Sequence, residues 1–192
     1  GRSAGPPLNT IAALAEWIVR LLDALAVERA GLAGHSLGAL VALDVAARYP
    51  ARVSGLALVG AALQMPVHPA LLQAARDDLP AAVAMISRWG QGDRRGSDQS
   101  AKKAGGAIER IMQRTTPGVL AAGLAACDAY GDASERAAAV RCPTVMLAGE
   151  SDRMTPAKGG TDLAAAITGA SFVVVPGGGH MLPIDNPRET VE

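Results

Sequence analysis

Aromatic side chains are nearly absent from this chain: two Trp, two Tyr and one Phe among 192 residues. The apolar half of the composition must therefore build its core from Ala, Leu and Val. An excess of charge is missing too. Eighteen basic residues balance eighteen acidic ones, which gives no electrostatic case for a nucleic-acid partner or an anionic membrane surface. Two cysteines, Cys127 and Cys142, are too few for a disulfide scaffold and lack metal-ligand spacing. Cys142, just before Pro143 and an apolar run, reads as a small buried hydrophobe. No uninterrupted apolar run reaches the roughly 20 residues of a membrane span, and no signal peptide is visible at Gly1. No metal-ligand cluster is seen, so neither a metal nor another cofactor is expected. Gly177-Gly178-Gly179 lacks the lysine and spacing of a phosphate loop. A cytoplasmic location is expected. Oligomeric state is not legible.

What is present follows an α/β rhythm. Residues 1 to 9 are turn-rich. Asn9 or Thr10 can cap a helix running to about Ala26, with Ile11, Leu14, Ile18, Leu21, Leu22 and Leu25 on one face. Arg29 to Ala33 reads as a strand, Leu37 to Arg48 as a helix ended by Pro50, and Val53 to Val59 as a second strand. Thr144 to Ala148 and Phe172 to Val175 supply two more. Continuous apolar strands are expected in a parallel sheet covered on both faces, with helices between them.

The stretch from 64 to 140 breaks this rhythm. Helical segments are expected near Pro69–Arg76, Leu79–Trp89, Ala104–Arg114 and Pro117–Ala126, with no convincing strand. The polar, glycine-rich run Gly90 to Gly106 reads as a mobile loop, and its Arg94-Arg95 and Lys102-Lys103 pairs as solvated charge. The simplest organisation is a core in two parts, 1–63 and 141–192. A helical insertion at 64–140 would then form a lid over the end of the sheet.

Gly34-His35-Ser36-Leu37-Gly38 lies where the first strand meets the following helix. A G-x-S-x-G at such a junction is the sequence form of a nucleophile elbow. Glycines on both sides are expected because side chains there would collide with backbone, and the helix N-terminus favours negative charge developing beside the serine. A serine hydroxyl needs a base, itself oriented by a third group. Of three histidines, His35 is expected to point away from the base position and shape the pocket floor, and His68 reads as a surface residue. His180 follows the last strand after three glycines, which would let an imidazole swing across the sheet's edge. The acid should follow a strand between the two. Asp152 is preferred and Glu150 is the alternative, with Arg153 either a solvated neighbour or an aid to ionisation. The order Ser36, Asp152, His180 is that of the elbow architecture.

GHSLG, VSGLALVGAA, TVMLAGESDRMTP and VVVPGGGHMLPIDNP, in this order, make the chain resemble the α/β-hydrolase superfamily, of the lid-bearing esterase, lipase and C–C hydrolase type. The resemblance covers the whole chain and implies ester or related acyl hydrolysis through an acyl-enzyme. Ser36 would be the nucleophile, His180 the base and Asp152 its orienting acid, with the Leu37 N–H as one oxyanion donor. The serine argues against the aspartate-dependent dehalogenase and epoxide hydrolase relatives. The Ala-, Leu- and Met-rich segment at 64–140, with Met65, Met85 and Met112, suggests a small or medium, largely apolar ester as the partner. The family's earlier strands, and a second oxyanion donor from them, are expected to lie before Gly1. On that expectation the elbow strand is a hydrophobic edge, and these residues alone would be poorly soluble and weakly active. Acyl transfer or cofactor-free perhydrolysis could use the same triad; a reading from a different class is a non-catalytic binding module, although relatives of that kind usually lose a triad residue and all three positions are filled here.

Overall fold

The computed structural model describes residues 5–92, 106 and 109–191. Four strands make one parallel sheet in chain order: β1 (Ala30–His35), β2 (Val53–Val59), β3 (Thr144–Gly149) and β4 (Ser171–Val175). Registers such as Ala33 on Ala57, Leu58 on Met146 and Leu147 on Val173 align the strands. All four carboxyl ends therefore reach the same edge of the sheet. In an open parallel sheet this is the edge where ligands bind.

Helix α1 (Ile11–Ala24) begins where Thr10 Oγ1 accepts the Ala13 N–H at 3.1 Å. Its buried residues are Ile11, Ala15 and Leu22, whereas Leu25 is 62% exposed. The expected apolar face is thus narrower than its periodicity suggested. Helix α2 (Leu37–Arg48) packs against β1, β2 and α1 and is buried from Ala39 through Ala46. That continuous burial explains its lack of an alternating polar face. Helices α6 (Ala133–Ala139) and α7 (Ala157–Ala166) extend the same layer, α7 lying on β3 and β4.

Helices flank the sheet, and its second face also carries open surface. Among the described residues an open groove of about 540 Å³ runs along it, floored by small residues including Gly31, Ala33, Gly55 and Ala57. Val173 and Val174 are also exposed on the edge strand β4.

Between β2 and α6 lie α3 (Pro69–Asp77), α4 (Leu79–Trp89) and α5 (Val119–Asp128), with helical residues at 109–113. Leu71, Ala75, Ala82 and Ile86 form a small core of their own, against which Met112, Leu120 and Leu124 pack. Asp78 caps α4 by accepting the Ala81 N–H at 3.0 Å. The two necks of this insertion are tied together, because the Val67 N–H donates to Asp128 Oδ1 at 2.9 Å. Most of the Gly90–Gly106 loop, with its basic pairs, and the start of the Ala104–Arg114 helix lie outside the described residues.

One polar cluster locks the layers. Asp44, 1% exposed on α2, accepts hydrogen bonds from Arg48, Tyr130 and Arg136, each at 3.1 Å. Arg48 also reaches Glu16 of α1 at 2.8 Å. A buried carboxylate needs such partners to offset its lost hydration. Burial, and then the Asp44 charge, push the Tyr130 phenol well above its usual range, so it remains a donor.

Candidate active site

Ser36 occupies the turn between β1 and α2 with φ 54° and ψ −120°. This backbone is strained for a residue with a side chain. The turn persists because it is held from several directions. The Ser36 N–H donates to the Val59 carbonyl at 2.9 Å, and the Ser36 carbonyl accepts from Ala39 at 2.9 Å. Gly34 has to be glycine, since a Cβ there would overlap the Gly38 carbonyl. Gly38 does not share that reason. A Cβ on it would meet nothing within 4 Å, contrary to the symmetric requirement expected from the motif. Leu37 is the first residue of α2, so its N–H lacks an intrahelical acceptor and lies at the positive end of the helix.

Asp152 and His180, 5% and 2% exposed, meet beyond the ends of β3 and β4. His180 Nδ1 is 2.9 Å from Asp152 Oδ2. A carboxylate can only accept, so this nitrogen carries the proton and Nε2 is left with its lone pair. Asp152 Oδ1 accepts the backbone N–H groups of Met154 and Thr155, both at 2.8 Å. The Thr155 hydroxyl donates to Oδ2 at 2.7 Å, while its oxygen stands 3.0 Å from His180 Nδ1. Burial alone would raise the Asp152 pKa. The hydrogen bond and charge of His180, with the N–H and hydroxyl of Thr155, outweigh burial and hold it below the usual carboxylate value.

Glu150 plays a different part: its Oε2 accepts the Gly177 N–H at 2.9 Å, bracing the turn that carries His180. Arg153 is exposed at the mouth of the same region. His68 is also exposed, and its Nδ1 accepts the Ala70 N–H at the start of α3.

His35 lines the cavity beside Ser36, as expected, but its ring does not point away from His180. Its ring centroid is 4.8 Å from that of His180, and its Nε2–H donates to the His180 carbonyl at 2.7 Å. Burial, then the charge of His180, push its pKa down to about 4, so it is neutral near pH 7. The three glycines before His180 also act differently from the flexible swing expected. Only Gly177 has positive φ, 65°. A Cβ on Gly179 would overlap the Gly92 backbone, and the His180 N–H donates to the Gly90 carbonyl at 2.9 Å. The histidine loop is therefore clamped against the end of α4 by close backbone packing.

Sequence reasoning missed Thr155 and this clamp. Asp-x-x-Thr immediately before a helix is a signal for the former, because an Asp side chain commonly accepts N–H groups two and three residues on. The clamp joins residues far apart in the chain and leaves no local signal.

Ser36 and His180 line one cavity of about 690 Å³, walled by Leu14 from the core and by Ile86, Met112, Val119 and Leu120 from the insertion. A volume of this size, mainly apolar with a few convergent polar groups, is that of a small-molecule site. Among the described residues no group of three or more His, Cys, Asp or Glu side chains could hold a metal ion, and no helix is long and apolar enough to cross a membrane.

Comparison with known proteins points the same way. RutD of Klebsiella pneumoniae strain 342, a protein provisionally named a carbamate hydrolase, is 30% identical over 94% of this chain and 70% of its own length. A hydrolase from Pseudomonas aeruginosa PA01 superposes with a TM-score of 0.82 at 27% identity, over 98% of this chain and 72% of that one. The enol-lactonase from Burkholderia xenovorans LB400 does so at 0.86 and 25%, over 98% and 73%. Since the family model for the alpha/beta hydrolase fold matches residues 1–187, the chain belongs to the α/β-hydrolase fold family and is a hydrolase of that architecture.

Proposed function

We propose that this chain is a serine hydrolase that cleaves a carboxylic ester or a related acyl bond through Ser36, His180 and Asp152. The observation that carries this reading is the buried His180–Asp152 pair at 2.9 Å beside the cavity that Ser36 also lines. His180 Nε2 takes the proton as Ser36 Oγ attacks the carbonyl carbon. The oxyanion that forms is met by the Leu37 N–H. Asp152 stabilises the imidazolium through Nδ1, and that imidazolium then protonates the leaving oxygen or nitrogen. Water, deprotonated by the same Nε2, attacks the acyl-enzyme and releases Ser36.

A carbamate is a second substrate reading, favoured by the similarity to RutD over most of the chain. Its scissile carbonyl would pass through the same steps. The test is turnover of a generic short-chain ester by this chain beside Ser36→Ala. The variant should lose turnover by about a thousandfold or more, as removal of a triad member does. Equal rates in the two proteins would remove Ser36 from the chemistry.

A further inference from the structure

The space around Ser36 has two compartments of unequal size. Besides the 690 Å³ cavity, a second one of about 140 Å³ is lined by Ser36 and His180. Leu124, Cys127 and Met154 also face both, so the proposed nucleophile and base stand at the junction. A carbonyl attacked by Ser36 carries two substituents, and as its carbon becomes tetrahedral both must have room. We infer that the substrate is unsymmetrical: one substituent of the scissile carbonyl is small enough for the lesser cavity, and the other is large and apolar. This inference rests on the serine-hydrolase reading. At about 30 Å³ per non-hydrogen atom, taken from the volume of water, the lesser cavity admits about five such atoms. The larger admits roughly twenty.

The lesser cavity is bounded by fixed parts. Leu71, 2% exposed, belongs to the insertion's own core. Val67 is held through its N–H by Asp128. His68 is fixed by the Ala70 N–H at 3.2 Å and meets Trp89 edge-on, with ring centroids 5.6 Å apart. Trp89 lines the lesser cavity and not the larger one, so a change of its indole alters the small compartment alone. Cys127, at the junction, is no rival nucleophile. Burial, then the Asp128 charge, push its thiol up to about 11, leaving it protonated near pH 7.

The test is a matrix of straight-chain esters: acetates of alcohols from ethyl to octyl, ethyl esters of acids from acetic to octanoic, and octyl octanoate. One series should keep kcat/KM within about tenfold to its longest member. The other should fall by about 100-fold or more once its variable side exceeds about five atoms, and octyl octanoate should fall with it. Which series falls assigns the lesser cavity to the acyl or the alcohol side. Trp89→Ala or Trp89→Leu should lengthen the limit in the falling series only, and Trp89→Phe should leave it near its original length. Equal tolerance in both series, rapid hydrolysis of octyl octanoate, or a limit unmoved in folded Trp89→Ala overturns the inference while leaving the serine-hydrolase reading intact. Undiminished turnover in Ser36→Ala overturns both.

Discussion

Replacing Thr155 by valine keeps the side chain's shape and removes its hydroxyl alone. In the native site that hydroxyl donates at 2.7 Å to a carboxylate oxygen that also faces His180 Nδ1. A buried hydrogen bond to a charged group contributes about 1.5–3 kcal/mol. The backbone N–H groups of Met154 and residue 155, both on the other carboxylate oxygen, survive the substitution. Asp152 therefore stays ionised and buried, but the oxygen facing the imidazole loses its fixed neighbour. The stability loss should be about 1.5–3 kcal/mol, a fall in Tm of roughly 3–12 °C for a chain of this length.

The kinetic consequence separates a positioning role from a merely structural one. If the hydroxyl holds the carboxylate and imidazole in their reactive geometry, most of that energy is expressed in the transition state, and kcat falls about 10- to 100-fold with KM little changed. Thr155→Ser retains the hydroxyl and should recover kcat to within about threefold. The assay is steady-state ester hydrolysis below the melting transition of each variant, with active protein titrated by a serine-directed acylating reagent. A Val variant that melts early yet keeps wild-type kcat per active site refutes the positioning argument. So does a Ser variant as slow as Val.

Two further expectations concern stability. His35 has a folded pKa of about 4 against 6.5 in the unfolded chain, so below pH 6.5 the unfolded state binds the extra proton. Its contribution is complete above about pH 6.5 and is lost progressively as pH falls towards 4, on the order of 3 kcal/mol in all. Urea midpoints from pH 7 to 4 should show this loss in wild type and a flatter profile in His35→Gln; identical profiles would contradict it. Asp152, whose carboxyl is held below its usual value, adds a further loss only at lower pH, as the solution passes through that depressed pKa. Asp44→Ala should cost about 3 kcal/mol, because it leaves Arg48 and Arg136 without their shared carboxylate. Chemical denaturation measures that cost, and rates per folded molecule should remain unchanged because Asp44 lies outside the cavity. An unfolding free energy within about 0.5 kcal/mol of wild type would show the cluster to be energetically idle.

The strands were legible because each is a short apolar run bounded by glycine or proline, and the sheet edge followed from their shared direction. The positions of the candidate site residues Ser36, Asp152 and His180 were legible for the same reason: each lies past the end of a strand, in short segments where chain order carries spatial information. What the sequence could not express was contact between segments far apart. The Gly177–Gly179 run shows the difference. Its composition reads as freedom, yet a Cβ on Gly179 would overlap the Gly92 backbone, and Gly178 would press on Leu182 at 2.5 Å. Permissive residues serve mobility or close packing equally well, and only the position of α4, held to the His180 N–H through the Gly90 carbonyl, decides between them. The place of His35 in the cavity wall is legible in the sequence, but the tilt of its ring towards His180 is hidden on the same ground. Alternation along β1 places its side chain relative to the sheet, but the His180 carbonyl that orients it arrives from the other end of the chain. The helical segment between β2 and β3 therefore does two things for this site: it walls the cavities beside Ser36, and through its backbone it holds the loop that carries His180.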